Sequence, residues 1–452
     1  MTMKSLAAAL LGCVAGAALC SSAALAQSRG TVELDAEPSK VNRVQPIAVP
    51  DPTYAPEAAK PASNFDIAPP KGKTEFGTFT FGGAIRARYD WRFNDVSLGG
   101  QPKASEHFDF DTLSLKAAYD SDTIFGAAQY RFYGGSSIYG PRNGYRGYPG
   151  EVSFPMWAYV GYKLTKEDSV TVGLNQAPFG LTPYFGNSFI ETLGFTMGLE
   201  EVYNFGVKYS HVESDLNYQV GYYPGANPNA IGLSLDSARY STNIVRADSY
   251  TPFATRNAEQ NMFIGRAEYF FLKNDLASFA VGASIWHSDI YNSDTRQTGT
   301  KQLEGIHALG TYGPWGFKGI FIRQDIDPRN PVRNDLIGIG GFDFSYNMAT
   351  RGNFVSGEIS YKVADPIGPF TVVPYAGYSA YFKDKASFQN SERFIIGGAW
   401  TLTADPNLII YTEGVIGRND PYVGAGQFSS GLAQGGDNKW KSRFIMNIGY
   451  YF

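Results

Sequence analysis

From Phe76 onward, hydrophobic and polar residues alternate along the chain. Ile85, Ala87, Tyr89, Trp91 and Phe93 share one parity of the first stretch, and Arg86, Arg88, Asp90 and Arg92 share the other. Successive side chains of a strand point to opposite faces, so this stretch has one apolar face tipped with aromatic rings and one charged face. A soluble sandwich would turn the apolar face inward and a membrane barrel would turn it outward; the local pattern fits both. The connections decide. Short turn-like links at 120–122, 165–168, 212–215, 271–275, 313–316, 363–368 and 403–407 alternate with longer stretches rich in Gly, Pro, Asn and Ser near 94–107, 134–151, 176–202, 224–260, 288–301, 326–352, 383–391 and 419–438. Seven short and eight long connections separate sixteen strands and leave both ends on the short-turn side. That is the layout of an all-β, 16-stranded antiparallel transmembrane β-barrel with short periplasmic turns and long external loops.

The expected strands are 77–93, 108–119, 123–133, 152–163, 169–175, 203–211, 216–223, 261–270, 276–287, 302–312, 316–325, 353–362, 369–382, 392–402, 408–418 and 439–452. A second alternating segment at 339–348 competes with the twelfth. Closure is a physical necessity, because backbone amides in hydrocarbon must all be paired and the last strand must therefore bond to the first.

Composition supports the membrane reading. Among 452 residues only 18% are charged, and all but two of the 30 Tyr, 32 Phe and 6 Trp follow residue 75. Past residue 26 there is no apolar run of eighteen or more, which excludes a helix-spanning protein. Both cysteines, Cys13 and Cys20, lie in an N-terminal stretch that runs from Lys4 through an apolar segment to Ala24-Leu25-Ala26. This reads as a signal peptide over 1–26, cleaved before Gln27, with a lipoprotein reading at Cys13 ranked below it for its very short apolar core. Residues 27–75 hold eight prolines and two aromatics, too little to build a core, and read as a disordered periplasmic linker ahead of a barrel over 76–452. A net charge of −4 leaves no footprint for nucleic acid.

The C-terminal strand places Trp440, Phe444, Met446, Ile448, Tyr450 and Phe452 on one parity and Arg443, Asn447, Gly449 and Tyr451 on the other. An alternating aromatic strand ending in Phe resembles the signal read by the outer-membrane barrel-assembly machinery, with Phe444, Ile448, Tyr450 and Phe452 as its residues. Over the whole span from Phe76 to Phe452 the sequence resembles bacterial outer-membrane porins. Within them, Val172-Gly173-Leu174-Asn175-Gln176-Ala177-Pro178-Phe179-Gly180 is similar to the strand-to-loop segment of the phosphate-selective porin family. The resemblance implies a channel, usually a homotrimer in the outer membrane, whose third long loop folds into the barrel. Here that loop is 176–202, with Pro178, Phe179, Gly180, Glu191, Glu200 and Glu201 as its constriction residues.

Parity assigns Arg86, Arg88, Arg92, Lys116, Arg131, Lys208, Arg266, Arg393 and Arg443 to the lumen, with Asp90, Glu268, Glu358 and Glu413 as acidic lumen residues. Charge on the lipid face costs a few kcal/mol near the midplane, so inward placement of any one of them needs no function. Arg86, Arg88 and Arg92 clustered on one strand go beyond that and point to a wall that attracts anions or guides solutes. The phosphate-selective family that this segment resembles associates its selectivity with basic residues near the narrow zone, yet Leu174 to Tyr203 carries no Lys or Arg. The expected function is passive diffusion of small hydrophilic solutes or ions, with anions favoured and no cofactor. Two other classes stay open. His107, His211, His287 and His307 occur without H-E-x-x-H or G-x-S-x-G, but serine and histidine on neighbouring strands could make a lipid hydrolase. A non-conducting structural or adhesive barrel is the third class.

Overall fold

The computed structural model describes residues 72–74, 77–95, 103–135, 138–246, 256–423 and 428–452. All of them belong to one unit of the chain, within Leu34–Phe452. The expected export signal and most of the proline-rich segment lie outside them.

A short strand β1 (Gly72–Thr74) precedes β2 (Gly77–Asp95), β3 (Lys103–Asp120), β4 (Ile124–Tyr133), β5 (Val152–Lys163), β6 (Asp168–Gln176), β7 (Tyr203–Val212) and β8 (Leu216–Gly225). After a two-residue inner strand β9 (Asn243–Ile244) come β10 (Asn257–Lys273), β11 (Ala277–Asn292), β12 (Gln297–Tyr312) and β13 (Trp315–Asp327). An inner hairpin, β14 (Leu336–Gly341) and β15 (Phe344–Ala349), then leads to β16 (Arg351–Tyr361), β17 (Phe370–Lys383), β18 (Ser391–Leu402), β19 (Leu408–Arg418) and β20 (Trp440–Tyr451).

Sixteen of these strands pair antiparallel in sequence order, with β8 bonding directly to β10 and β13 directly to β16. β20 pairs with β2 from Ala84↔Tyr451 to Phe93↔Ser442 and closes the barrel. Beyond that seam, Phe452 exchanges backbone hydrogen bonds with Gly83, and β1 takes up the β2 edge from Gly77 to Phe79. No sheet edge is left in the wall, as the hydrocarbon environment requires.

Each barrel strand sits where alternation places it, but four run at least four residues further toward the long loops, β3 among them, which starts at Lys103. β10 starts at Asn257, β11 continues to Asn292 and β12 starts at Gln297, so the long loop expected at 288–301 is a tight turn. Here the outward side chains become polar, with Glu304 opposite Arg323 and His287 bonded to Gln302, while the backbone ladder continues. Apolar alternation therefore marks the lipid band rather than the strand. Within that band Phe81, Ile85, Val160, Val281 and Ile306 are exposed, and Trp315 packs on Tyr361 at the short-turn edge, ring centroids 4.7 Å apart.

The competition over the twelfth barrel strand resolves in an instructive way: 351–361 is in the wall, and the alternating 339–348 segment belongs to β14 and β15. These two strands and β9 form a separate three-stranded sheet, with Ile339 opposite Ile244, every residue of which is buried. Long loops contribute Tyr139, Tyr145, Phe195, Tyr240, Tyr422 and Phe428 around it, and wall side chains such as Tyr133, Phe154, Trp286 and Phe354 pack against the same cluster. The barrel thus contains an aromatic core built from its own loops. β14 and β15 meet at a two-residue turn, Phe342-Asp343, with both residues at positive φ (55° and 74°). Asp tolerates that region; Phe does so at a cost, met here by ring contacts from Phe342 to Tyr133, Phe154, Phe195 and Tyr240 at 5.5–5.7 Å.

Candidate functional site: the inner wall and the third loop

The third loop leaves β6 at Gln176 and returns at β7, and most of its residues are buried. Its path is set by side chains reaching in from the opposite strands. Gly180 donates its N–H to Ser284 Oγ on β11 (3.0 Å) and its carbonyl accepts from Arg266 Nε on β10 (2.6 Å). Gly180 has φ +67°, and a Cβ there would lie 2.7 Å from Phe185, so glycine is required at the end of the Pro178-Phe179-Gly180 segment. Phe179 stacks edge-on to Trp286 at 5.8 Å.

Further along, Lys318 on β13 donates to the Tyr184 and Gly186 carbonyls (3.4 and 3.3 Å). The Glu358 carboxylate accepts from Asn187 N–H at 2.6 Å, and Glu413 accepts from the consecutive N–H groups of Phe189 and Ile190 and from Tyr375 Oη. Ser379 accepts from Leu193 N–H. Arg393 forms a two-pronged pair with Asp420 and donates to the Glu191 and Thr192 carbonyls (3.0 and 3.1 Å). Charge-assisted bonds to backbone groups are about twice as strong as neutral ones, so this set fixes the loop as a rigid part of the inner surface. The loop's short helix α1 (Leu193–Thr196) is capped by Thr192, whose hydroxyl accepts from Gly194 N–H.

Four residues expected to face the pore, Arg266, Glu358, Arg393 and Glu413, therefore hold the third loop. Glu268 pairs with Arg266 at 2.5 Å and with His307 at 3.1 Å, while Lys208 donates to the Gln176 carbonyl. The loop's own acids are also engaged locally. Glu200 accepts from Phe185 N–H and Thr192 Oγ1, and Glu201 from Tyr240 Oη at 2.6 Å. Glu191, at φ 65°, is buried beside the Arg393 contacts.

The remaining cations gather on four adjacent strands. Arg86, Arg88 and Arg92 on β2, Lys116 on β3, Arg131 on β4 and Arg443 on β20 all lie on the inward parity and are 0–6% exposed. The carboxylates on the same wall are Asp90, paired with Arg443 and 3.7 Å from Arg88, Asp111, 3.7 Å from Arg88 and 4.0 Å from Arg86, and Asp109, opposite Arg88 in the β2–β3 pairing. Arg131 sits over the Tyr240 ring at 4.8 Å and feels Glu201 of the third loop.

Sequence reasoning missed Asp111 and Lys318. Asp111 is the extra residue of a bulge, where the register slips between Arg86 and Ala87 and parity inverts. Lys318 shares its inward face with Ile320 and Ile322, which pack on the loop cluster, so no polar stripe marked that face. At the C-terminus, Phe444, Ile448, Tyr450 and Phe452 lie on the outward parity, with Tyr450 and Phe452 exposed at the rim.

Asp343 at the inner hairpin turn ties loops together: Tyr145 Oη donates to it at 2.7 Å and the N–H groups of Leu233 and Ser234 at 2.6 and 2.9 Å. Burial raises its carboxyl above the usual carboxylate range despite those donors. Of the histidines considered for hydrolysis, His211 bonds to Asp168 at 2.8 Å on the outward face at the short-turn end, and His287 bonds to Gln302. Neither has a serine hydroxyl within hydrogen-bond reach among the described residues.

No family model matches the sequence, and no curated protein matches it. Solved structures do match in fold. The outer-membrane channel DcaP of Acinetobacter baumannii is 13% identical, with 84% of this chain and 99% of that one covered at a TM-score of 0.53. Salmonella typhi OmpF in complex with daunomycin is 12% identical, with 85% and 100% covered at 0.52. An anion-selective porin from Comamonas acidovorans is 12% identical, with 83% and 100% covered at 0.50. The chain is similar to these in being a closed 16-stranded barrel, the porin fold.

Proposed function

We propose that the chain forms a diffusion channel for small hydrophilic solutes in the bacterial outer membrane, and that it favours anions. The observation that carries this reading is the inner wall of β2, β3, β4 and β20, where six cationic side chains outnumber the carboxylates beside them, Asp90, Asp109 and Asp111. Such a wall biases a narrow passage toward negative solutes without holding any of them tightly. The comparisons support a channel through their fold, and one of the similar chains is named as an anion-selective porin. Phosphate specificity has less behind it, because the third loop has no basic residue of its own and Arg266, Lys318 and Arg393, which reach it, are engaged with its carbonyls.

Export by a cleaved N-terminal signal, insertion through the aromatic C-terminal strand and assembly as a homotrimer belong to the same reading. The outer face of β2 to β6 offers a shallow groove of about 530 Å³ whose floor of Ala117, Gly126, Ala128 and Ala158 is flanked by Phe79, Phe81, Tyr119 and Tyr159, a surface that a neighbouring subunit could fill. Bilayer recordings of the purified chain in a KCl gradient test the proposal. Ohmic steps with a reversal potential of anion sign are expected; cation preference overturns the selectivity, and absence of steps favours an anchoring barrel.

A further inference from the structure

One part of the basic wall is left electrostatically incomplete. Arg86 is 1% exposed, and its Nε, Nη1 and Nη2 are buried without an acceptor in hydrogen-bonding geometry. Its nearest carboxylate among the described residues, Asp111, stands 4.0 Å from Nε and also serves Arg88; its other polar partner is the Tyr451 hydroxyl, an uncharged group close enough to interact with the guanidinium. Across the β2–β3 pairing Arg86 faces Thr112, and two residues along, Ser114 lies between Ala84 and Arg131. The Ser114 hydroxyl is fully buried and has no hydrogen-bond partner among the described residues. Lys116, opposite Gly82, completes the group, and Arg86, Lys116 and Arg131 repel one another.

Arg131 is provided for by Tyr133 at 3.4 Å, by the Tyr240 ring and, with its amide oxygen turned inward, by Gln129 at 2.6 and 3.1 Å. Arg86 is not comparably provided for. Five N–H donors on a buried guanidinium with a shared carboxylate at 4.0 Å are a large desolvation cost, and a water would supply acceptors but no charge. An anion with several oxygens supplies both, and planar or tetrahedral oxyanions match the guanidinium fork.

We propose that this wall binds one small oxyanion, phosphate, sulfate or a carboxylate, between Arg86, Ser114 and Lys116. Lys116, 5% exposed against 1% for Arg86, is the less enclosed of the two cations, and the occupant enters on its side by drawing the Arg86 guanidinium toward it. The inference deepens the anion-channel reading, since it adds a saturable site to a wall proposed there only as a field.

The test is the ³¹P line width of inorganic phosphate titrated with the full chain in detergent at low ionic strength. Saturable broadening is expected, displaced by sulfate and acetate and at least tenfold less well by chloride. R86Q and K116Q should weaken binding at least tenfold and S114A about threefold, while R323Q, which removes a loop-side charge paired with Asp384, should leave it unchanged. If R86Q does not fold, K116Q and S114A decide. Absence of saturable broadening, or binding unchanged in those variants, overturns the site. Binding by a protein that passes no current sustains the site and overturns the channel; current without binding does the reverse.

Discussion

The wall and the interior of this barrel obey opposite rules. On the wall, each strand separates lipid from lumen, and its side chains alternate: Ile85 out and Arg86 in, Ile448 out and Asn447 in. In the interior, β14 and β15 have protein on both sides and are buried at every position, from Leu336 to Ala349. The wall is held by a two-solvent boundary, the interior by packing. The two regions should therefore fail differently.

The largest expected effect is on the interior. Phe342→Ala removes a ring that touches four others and should cost about 3–5 kcal/mol. Because the barrel ladder does not run through Phe342, the loss should appear as faster hydrogen exchange across 336–349 with wall amides still protected. Equal loss of protection in wall and hairpin would show that the two are one cooperative unit and end the distinction.

The wall should respond to polarity rather than volume. Val281 is 48% exposed, near the middle of the apolar band, and Val281→Arg should cost about 2–4 kcal/mol in refolding into lipid, measured by denaturant titration. Val281→Ala, which leaves no buried cavity, should be close to neutral. A large effect of the alanine variant would mean that this face is packed against protein.

This difference also explains what could be read from the sequence. Sixteen wall strands were legible because lipid and lumen impose a period of two, and Arg86, Arg88 and Arg92 stood out because their parity was otherwise apolar's opposite. The roles of Arg266, Glu358, Arg393 and Glu413 were not legible. Parity tells that a side chain points inward, whereas its partner is a backbone group in a loop up to 224 residues away, as for Phe189 and Glu413. The inner hairpin showed as alternation at 339–348, yet its turn, Phe342-Asp343, lacks the Asn-Gly signal that a positive-φ pair usually carries, because tertiary contacts stabilise it. Asp111 was hidden by the bulge that it creates.

Where interior meets wall, the carboxylate clamps give an intermediate effect. Glu413→Gln leaves the Phe189 and Ile190 N–H groups short of an acceptor, a cost of about 1–3 kcal/mol confined to the third loop. Single-channel records should show added current noise and a changed conductance, with the folded barrel as resistant to denaturant as before. Unchanged records would mean that the loop's position does not depend on the far wall.

The smallest effect lies at the loop surface, where neither rule applies strongly. Asp335 pairs with Arg333 at 2.9 Å and with Lys385 across two loops; burial opposes ionisation, but these cations hold its carboxyl down at about 2. A carboxyl depressed in the folded state adds stability above its ordinary value of 3.8 and loses it as pH falls through about 2. Exchange of the 384–390 amides should therefore carry this pair's full, pH-independent protection between pH 7 and 5, and should rise only as pH falls below about 3.8 toward 2. Lys385 is half exposed, and Lys385→Ala should change loop stability by less than about 1 kcal/mol. A loss of several kcal/mol would mean that this exposed bridge, rather than the buried Asp343 knot, governs how the loops are held over the barrel.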